Sequence, residues 1–127
     1  MTKILIVDDD PDMVEAGRFV LEGKGYQVVC AANAEEGLQA LDREKPDLVI
    51  LDVMMEEPDD GIRVARQIRR KGSKVPILML TSVNVAMNLH IDKDSEVVPV
   101  DEFQEKPVDP ATLLLKVQKL LDSAGGA

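Results

Sequence analysis

Aromatic side chains are almost missing from this sequence of 127 residues: two phenylalanines, one tyrosine and no tryptophan, 2% of the chain. A hydrophobic core must therefore be assembled from Val, Ile, Leu, Met and Ala. Basic charge is also short. Fifteen Lys and Arg stand against 24 Asp and Glu, a net charge of -9, whereas nucleic acid calls for a concentrated cationic footprint over its phosphates. A cationic partner or a bound metal ion suits the balance better. The longest apolar runs, Ile4 to Val7, Leu48 to Leu51 and Ile77 to Leu80, are far too short to span a bilayer or to form a signal-peptide core. The expected compartment is the cytoplasm, with no membrane partner. The single Cys30 cannot pair within the chain; at the end of an apolar run it reads as a small buried residue rather than a reactive thiol. The single His90 has no second imidazole or thiol near it, which leaves little basis for a metal or catalytic role.

What is present is alternation. Short apolar runs recur as KILIV, YQVVCA, PDLVIL, VPILML and EVVPV, and stretches of helical length separate them. Asp10-Pro11 suits an N-cap followed by proline at the first helical position, before the stripe Met13, Gly17, Val20 and Leu21; Gly23 and Gly25 stop that helix. Asn33 with Glu36 has capping-box spacing ahead of Ala34, Leu38 and Leu41, and Pro46 closes the segment. Ile62, Ala65 and Ile68 mark a third helix ending at Gly72; Leu113, Val117, Leu120 and Leu121 mark the last, entered at Asp109-Pro110. Strands alternating with amphipathic helices mean βαβ units, a parallel sheet and helices on both faces. The interval VNVAMNLHIDKD has a strand period, yet consecutive parallel strands need a crossover, so a short or irregular helix is expected there. The chain is the size of one domain, assigned to residues 1–122, with SAGGA at 123–127 a flexible tail.

Open parallel sheets bind ligands outside the carboxyl ends of their strands, where strand order reverses. Asp8 and Asp9 end the first expected strand, Asp52 the third and Thr81 the fourth, while Lys106 follows the fifth. Three carboxylates on one edge disfavour ionisation unless a cation compensates them, and a hard, oxygen-seeking ion such as Mg2+ is the natural one. A lysine and a threonine beside it could then neutralise and hydrogen-bond a phosphoryl group carried on a carboxylate nucleophile.

Asp8-Asp9, LDVMM around Asp52, LTS ending in Thr81-Ser82, and EKP with Lys106-Pro107 together resemble, over essentially the whole chain, the receiver domains of two-component response regulators. The likeness is to the single-domain kind that resembles chemotaxis regulators. It implies a flavodoxin-like doubly wound (βα)5 three-layer sandwich whose five-stranded parallel sheet has the order 2-1-3-4-5, a topology that this family itself exemplifies. It implies that Asp52 accepts a phosphoryl group from a sensor histidine kinase or phosphotransfer protein. Asp9, Asp52 and the Met54 backbone carbonyl would ligate Mg2+ directly, with Asp8 acting mainly through water. Thr81 and Lys106 would each receive a phosphoryl oxygen, the Lys106-Pro107 bond would be cis, and Phe103 would be the switch aromatic that moves with Thr81. The output would pass to a downstream protein through the fourth helix, fifth strand and last helix. Activity would be limited to self-phosphorylation and autodephosphorylation.

Other chemistries fit these residues less well. Asp8, Asp10 and Asp12 start like a calcium loop, but Met13 stands where glycine is needed and Phe19 where the closing glutamate belongs. A phosphatase of the haloacid dehalogenase type needs a second aspartate two residues after the nucleophile, where Met54 stands. A pseudo-receiver serving only as a protein-interaction module stays open. Arg63, Arg66, Arg69 and Arg70 read as a solvated helix face. Some features depart from the family pattern. The stretch from Thr81 to Lys106 is long and lacks the usual small-residue helix, and Pro99 sits inside the expected fifth strand, which suits an edge. Glu56, Glu57, Asp59 and Asp60 make an acidic rim. An atypical signalling face over residues 83–103 is the expectation, along with a long-lived phosphoaspartate flanked by the apolar Met54 and Val83.

Overall fold

A computed structural model describes residues 2–52, 60–81, 101–105 and 109–125. Along the chain these form β1 (Lys3–Val7), α1 (Pro11–Glu22), β2 (Gln27–Ala31), α2 (Ala34–Glu44), β3 (Leu48–Asp52), α3 (Asp60–Arg70), β4 (Ile77–Thr81), β5 (Glu102–Glu105) and α4 (Pro110–Gly125). All pairings are parallel, and the sheet order is β2-β1-β3-β4-β5. The expected doubly wound architecture is therefore present.

Successive strand residues point to opposite faces, so each central strand feeds two cores. Leu5, Val7, Val49, Leu51, Ile77 and Met79 pack with Leu41 of α2 and Ile62, Ala65 and Ile68 of α3. Ile4, Ile6, Leu48, Ile50, Leu78 and Leu80 pack with Leu21 of α1 and Leu113, Val117 and Leu120 of α4. That is the three-layer sandwich. Close approach of helix to sheet is bought with glycine at Gly37, where an added Cβ would lie 2.9 Å from Val7 Cγ1.

The helix ends follow the local chemistry. Asp10 caps α1 by accepting the Asp12 N–H at 3.0 Å, with Pro11 in the first turn. Two ends close in Schellman motifs around glycines with positive φ. Tyr26 N–H donates to Leu21 O and Gly25 N–H to Glu22 O after α1, and Ser73 N–H donates to Ile68 O and Gly72 N–H to Arg69 O after α3. At α2, Asn33 accepts the Glu36 N–H at 2.9 Å, but Glu36 returns its bond to Ala32 N–H rather than to Asn33, at 2.9 Å. The helix α4 continues to Gly125.

The strand paired with β4 is Glu102–Glu105, later in the chain than the apolar run 96–100 expected to form it. An edge strand has one neighbour and needs less apolar surface, so an apolar run is a poor guide to its position. The run itself, Pro99 and the expected crossover helix all lie outside the described residues.

Candidate metal and acceptor site

The strand order reverses between β1 and β3, and there the chain places its carboxylates. Val7 of β1 pairs with Leu51 of β3, so Asp8 and Asp52 emerge at the same level of adjacent strands. Both are nearly buried, at 2% and 4% exposure, whereas Asp9 is exposed. One carboxylate oxygen from each of Asp8, Asp9 and Asp52 lies within 4.8 Å of the others. Asp8 is held from two directions, its N–H donating to Ala31 O at 3.1 Å and its Oδ1 accepting the Asp10 N–H at 3.0 Å. The run Asp8-Asp9-Asp10 thus divides into two carboxylates of the cluster and one helix cap.

Among the described residues the donor set is all carboxylate oxygen, which fits a hard divalent cation and not a soft one. Three like charges this close repel strongly unless compensated. The cluster could therefore hold a metal ion. A cleft of ≈ 310 Å³ adjoins it, lined among others by Asp8, Asp9, Glu15, Cys30 and Glu36. A cavity of ≈ 340 Å³ opens elsewhere, between the C-terminal ends of α2 and α3 and bordered by the Lys71–Asp42 ion pair. It is slightly larger, but among the described residues its lining holds no cluster of carboxylates.

Other expected site residues are placed only by backbone. Thr81 ends β4, one step beyond Leu80, which pairs with Asp52. Phe103 pairs with Met79, and Glu105, which Lys106 follows in sequence, pairs with Thr81. Met54, Lys106, Pro107 and the side chains of Thr81, Phe103 and Asp60 lie outside the described residues, as do Glu56, Glu57 and Asp59 of the acidic rim and Val83.

Cys30 and Arg69 sit otherwise than their sequence neighbours suggest. Cys30 is exposed rather than buried, because β2 is an edge strand and its end faces the cleft. Its thiol is nevertheless held above the ordinary value, first by partial burial and then by Glu15 and Glu22, with Arg18 opposing. Arg69 is no member of a solvated face. Its guanidinium donates to Ser73 O, Val75 O and Asp101 Oδ2 at 3.2, 2.8 and 2.8 Å. Asp101 was missed altogether, since a partner 32 positions away leaves no local signal. Farther along, Asp109 caps α4 by accepting both the hydroxyl and the N–H of Thr112, which hold its carboxyl below the usual range.

Residues 4–118 match the sequence pattern described as the response regulator receiver domain. The chain is 36% identical over 119 residues to the alkaline phosphatase synthesis transcriptional regulatory protein PhoP of Bacillus subtilis, covering 94% of this chain and 48% of that one. It is 39% identical over 119 residues to an uncharacterised 14.6 kDa protein of Leptolyngbya boryana, covering 91% of this chain and 87% of that one. It thus spans about half the length of PhoP but most of the Leptolyngbya protein. The chemotaxis response regulator CheY4 of Vibrio cholerae superposes with a TM-score of 0.82 at 29% identity, over 94% of this chain and 98% of that one.

Proposed function

The chain belongs to the receiver-domain family of two-component response regulators, and from that premise we propose that Asp52 is its phosphoacceptor, served by a magnesium ion at Asp8 and Asp9. The observation that carries this is the convergence of three carboxylates within 4.8 Å, two of them nearly buried, where the strand order reverses. In the transfer, an Asp52 oxygen attacks phosphorus, an O–P bond forms, the P–N bond to a phosphohistidine breaks, and its electron pair returns to the imidazole. Burial strips water from the Asp52 carboxylate and fixes it at the strand end, so the nucleophile is positioned before the donor arrives. When bound, magnesium would supply positive charge to the phosphoryl oxygens. Asp9, Asp52 and the Met54 carbonyl would hold it, with Asp8 acting through water. Thr81 would donate its hydroxyl to one phosphoryl oxygen and Lys106 its ammonium to another, replacing the water that such oxygens lose.

Receiver domains are signalling modules and do not turn over a small substrate; self-phosphorylation and autodephosphorylation are the finer chemistry proposed here. The donor would be a sensor histidine kinase or phosphotransfer protein in the cytoplasm. The added phosphoryl group brings nearly two negative charges, and Thr81 and Phe103 would pass that change to a downstream protein over the face of β5, α4 and the crossover between β4 and β5. Among the described residues no helix is long and apolar enough to cross a membrane.

Intact mass after incubation with magnesium and acetyl phosphate tests the reading. One phosphoryl adduct is expected on the wild type and none on Asp52→Ala. An unmodified wild type would favour a pseudo-receiver that acts only by protein binding.

A further inference from the structure

We propose that Arg69 and Asp101 form a register lock that sets β5 against β4 and so positions Lys106 for phosphoryl transfer, a role that rests on the phosphoacceptor reading above. The strand β5 is short, lies at the sheet edge and reads Glu-Phe-Gln-Glu. Registers are weakly specified in such strands, because little apolar pattern resists a slip. Asp101, immediately before β5, supplies what the pattern lacks. Its N–H donates to Ile77 O at 3.0 Å, and its Oδ2 accepts the Ile77 N–H at 2.8 Å. Both backbone groups of the first β4 residue are thereby claimed by one residue.

Arg69 fixes that carboxylate in turn. Nη2 donates to Asp101 Oδ2 at 2.8 Å, while Nη1 holds Ser73 O and Val75 O in the connection from α3 to β4. A rigid guanidinium fork reads three acceptors at once, which a lysine cannot do. The pair is part exposed, at 26% and 43% for the two side chains, so it adds little to stability as an ion pair. Its effect is on alignment. From Ile77 and Asp101 the ladder runs through Leu78–Glu102, Met79–Phe103 and Leu80–Gln104 to Thr81–Glu105, and Lys106 is the next residue.

A slip of one residue moves the strand by about 3.3 Å and exchanges its two faces. Moved toward the carboxyl edge, β5 would carry Glu105 one step past Thr81, where Lys106 otherwise follows in the sequence. With Lys106 serving the phosphoryl group as proposed above, such a slip would put a residue of opposite charge at its step of the chain, an arrangement hostile to an incoming phosphoryl group. The lock therefore guards the sign of the charge delivered to the site.

The test measures the rate of Asp52 phosphorylation by acetyl phosphate at saturating magnesium, together with magnesium affinity. Asp101→Ala should slow phosphorylation about tenfold to a hundredfold and leave magnesium affinity at the wild-type value, because Asp8 and Asp9 follow β1 and Asp52 ends β3. Asp101→Asn, which keeps an acceptor for Ile77 N–H, should recover part of the rate, and it carries the same test if Asp101→Ala does not fold. Lys71→Ala, which breaks the Lys71–Asp42 ion pair beyond the same helix, should keep the wild-type rate. In a Lys106→Ala background, Asp101→Ala should cause no further loss. An unchanged rate in folded Asp101→Ala, a parallel fall in magnesium affinity, or a further loss without Lys106 would each overturn the lock while leaving Asp52 as acceptor. A wild type that takes no phosphoryl group would overturn the acceptor reading and the lock together.

Discussion

Neutralising Asp8 should stabilise the metal-free protein. Carboxylate oxygens of Asp8, Asp9 and Asp52 lie within 4.8 Å of one another. At that separation two unit charges repel by about 3.5 kcal/mol at an effective dielectric near 20 and by about 0.9 kcal/mol in water. Asp8 and Asp52 are nearly buried, so their mutual term lies toward the upper figure, whereas terms with the exposed Asp9 lie toward the lower. Other contacts of these carboxylates offset part of the repulsion. The substitution Asp8→Asn keeps an Oδ1 acceptor for the Asp10 N–H, and its new amide costs something if it finds no acceptor. A net gain of about 1–3 kcal/mol is expected, which moves a urea midpoint by roughly 1 M for a small domain. Asp9→Asn should gain less than Asp8→Asn, because water already screens that charge. Magnesium should reverse the ranking. At a hundredfold excess over its dissociation constant, a ligand bound only by the native state adds about 2.7 kcal/mol, and the variants bind it more weakly. Urea unfolding of the three proteins in chelator and in magnesium reads both effects. If Asp8→Asn is no more stable than wild type in chelator, or if magnesium stabilises all three equally, the charge argument fails.

Gly37→Ala should destabilise by about 1–3 kcal/mol despite alanine's better helix propensity, because the new methyl meets Val7 Cγ1 and Cγ2 at 2.9 and 3.0 Å; combining it with Val7→Ala should recover part of the loss in urea titrations, and simple additivity would refute the overpacking. Cys30 should react with iodoacetamide more slowly at neutral pH than an unhindered cysteine, since partial burial raises its thiol, and Arg18→Gln should slow it further by removing a neighbour that favours the thiolate. A rate equal to that of free cysteine would refute this. The Asp109 carboxyl is held down by Thr112, so its stabilising effect is present above the unfolded value of about 4 and is lost as pH falls through the depressed folded value. Thr112→Val should therefore flatten the acid limb of a stability curve, and an unchanged limb would count against the cap.

Much of the site was legible because its signals are local and sit on central strands. Buried parallel strands are apolar runs, and a charged residue at the end of such a run announces the carboxyl edge; Asp8, Asp9 and Asp52 could be found in that way. Caps at Asp10, Asn33 and Asp109 were equally legible, since each acts within three residues of itself. The bond that Ala32 N–H donates to the Glu36 carboxylate was not, because the spacing alone does not choose between adjacent N–H donors.

The alternation of strands and helices, one edge rich in carboxylates and the helix cap at Asp10 can be read from the residues alone. Where β5 begins, that Cys30 faces a cleft and that Arg69 is tied to Asp101 emerge only once the chain is folded. Each of these concerns an edge strand or a partner remote in sequence. Edges carry weak hydrophobic pattern, and a partner 32 residues away is brought into range only by parallel pairing of β4 with β5, so their roles are settled by three-dimensional neighbours and not by the residues on either side.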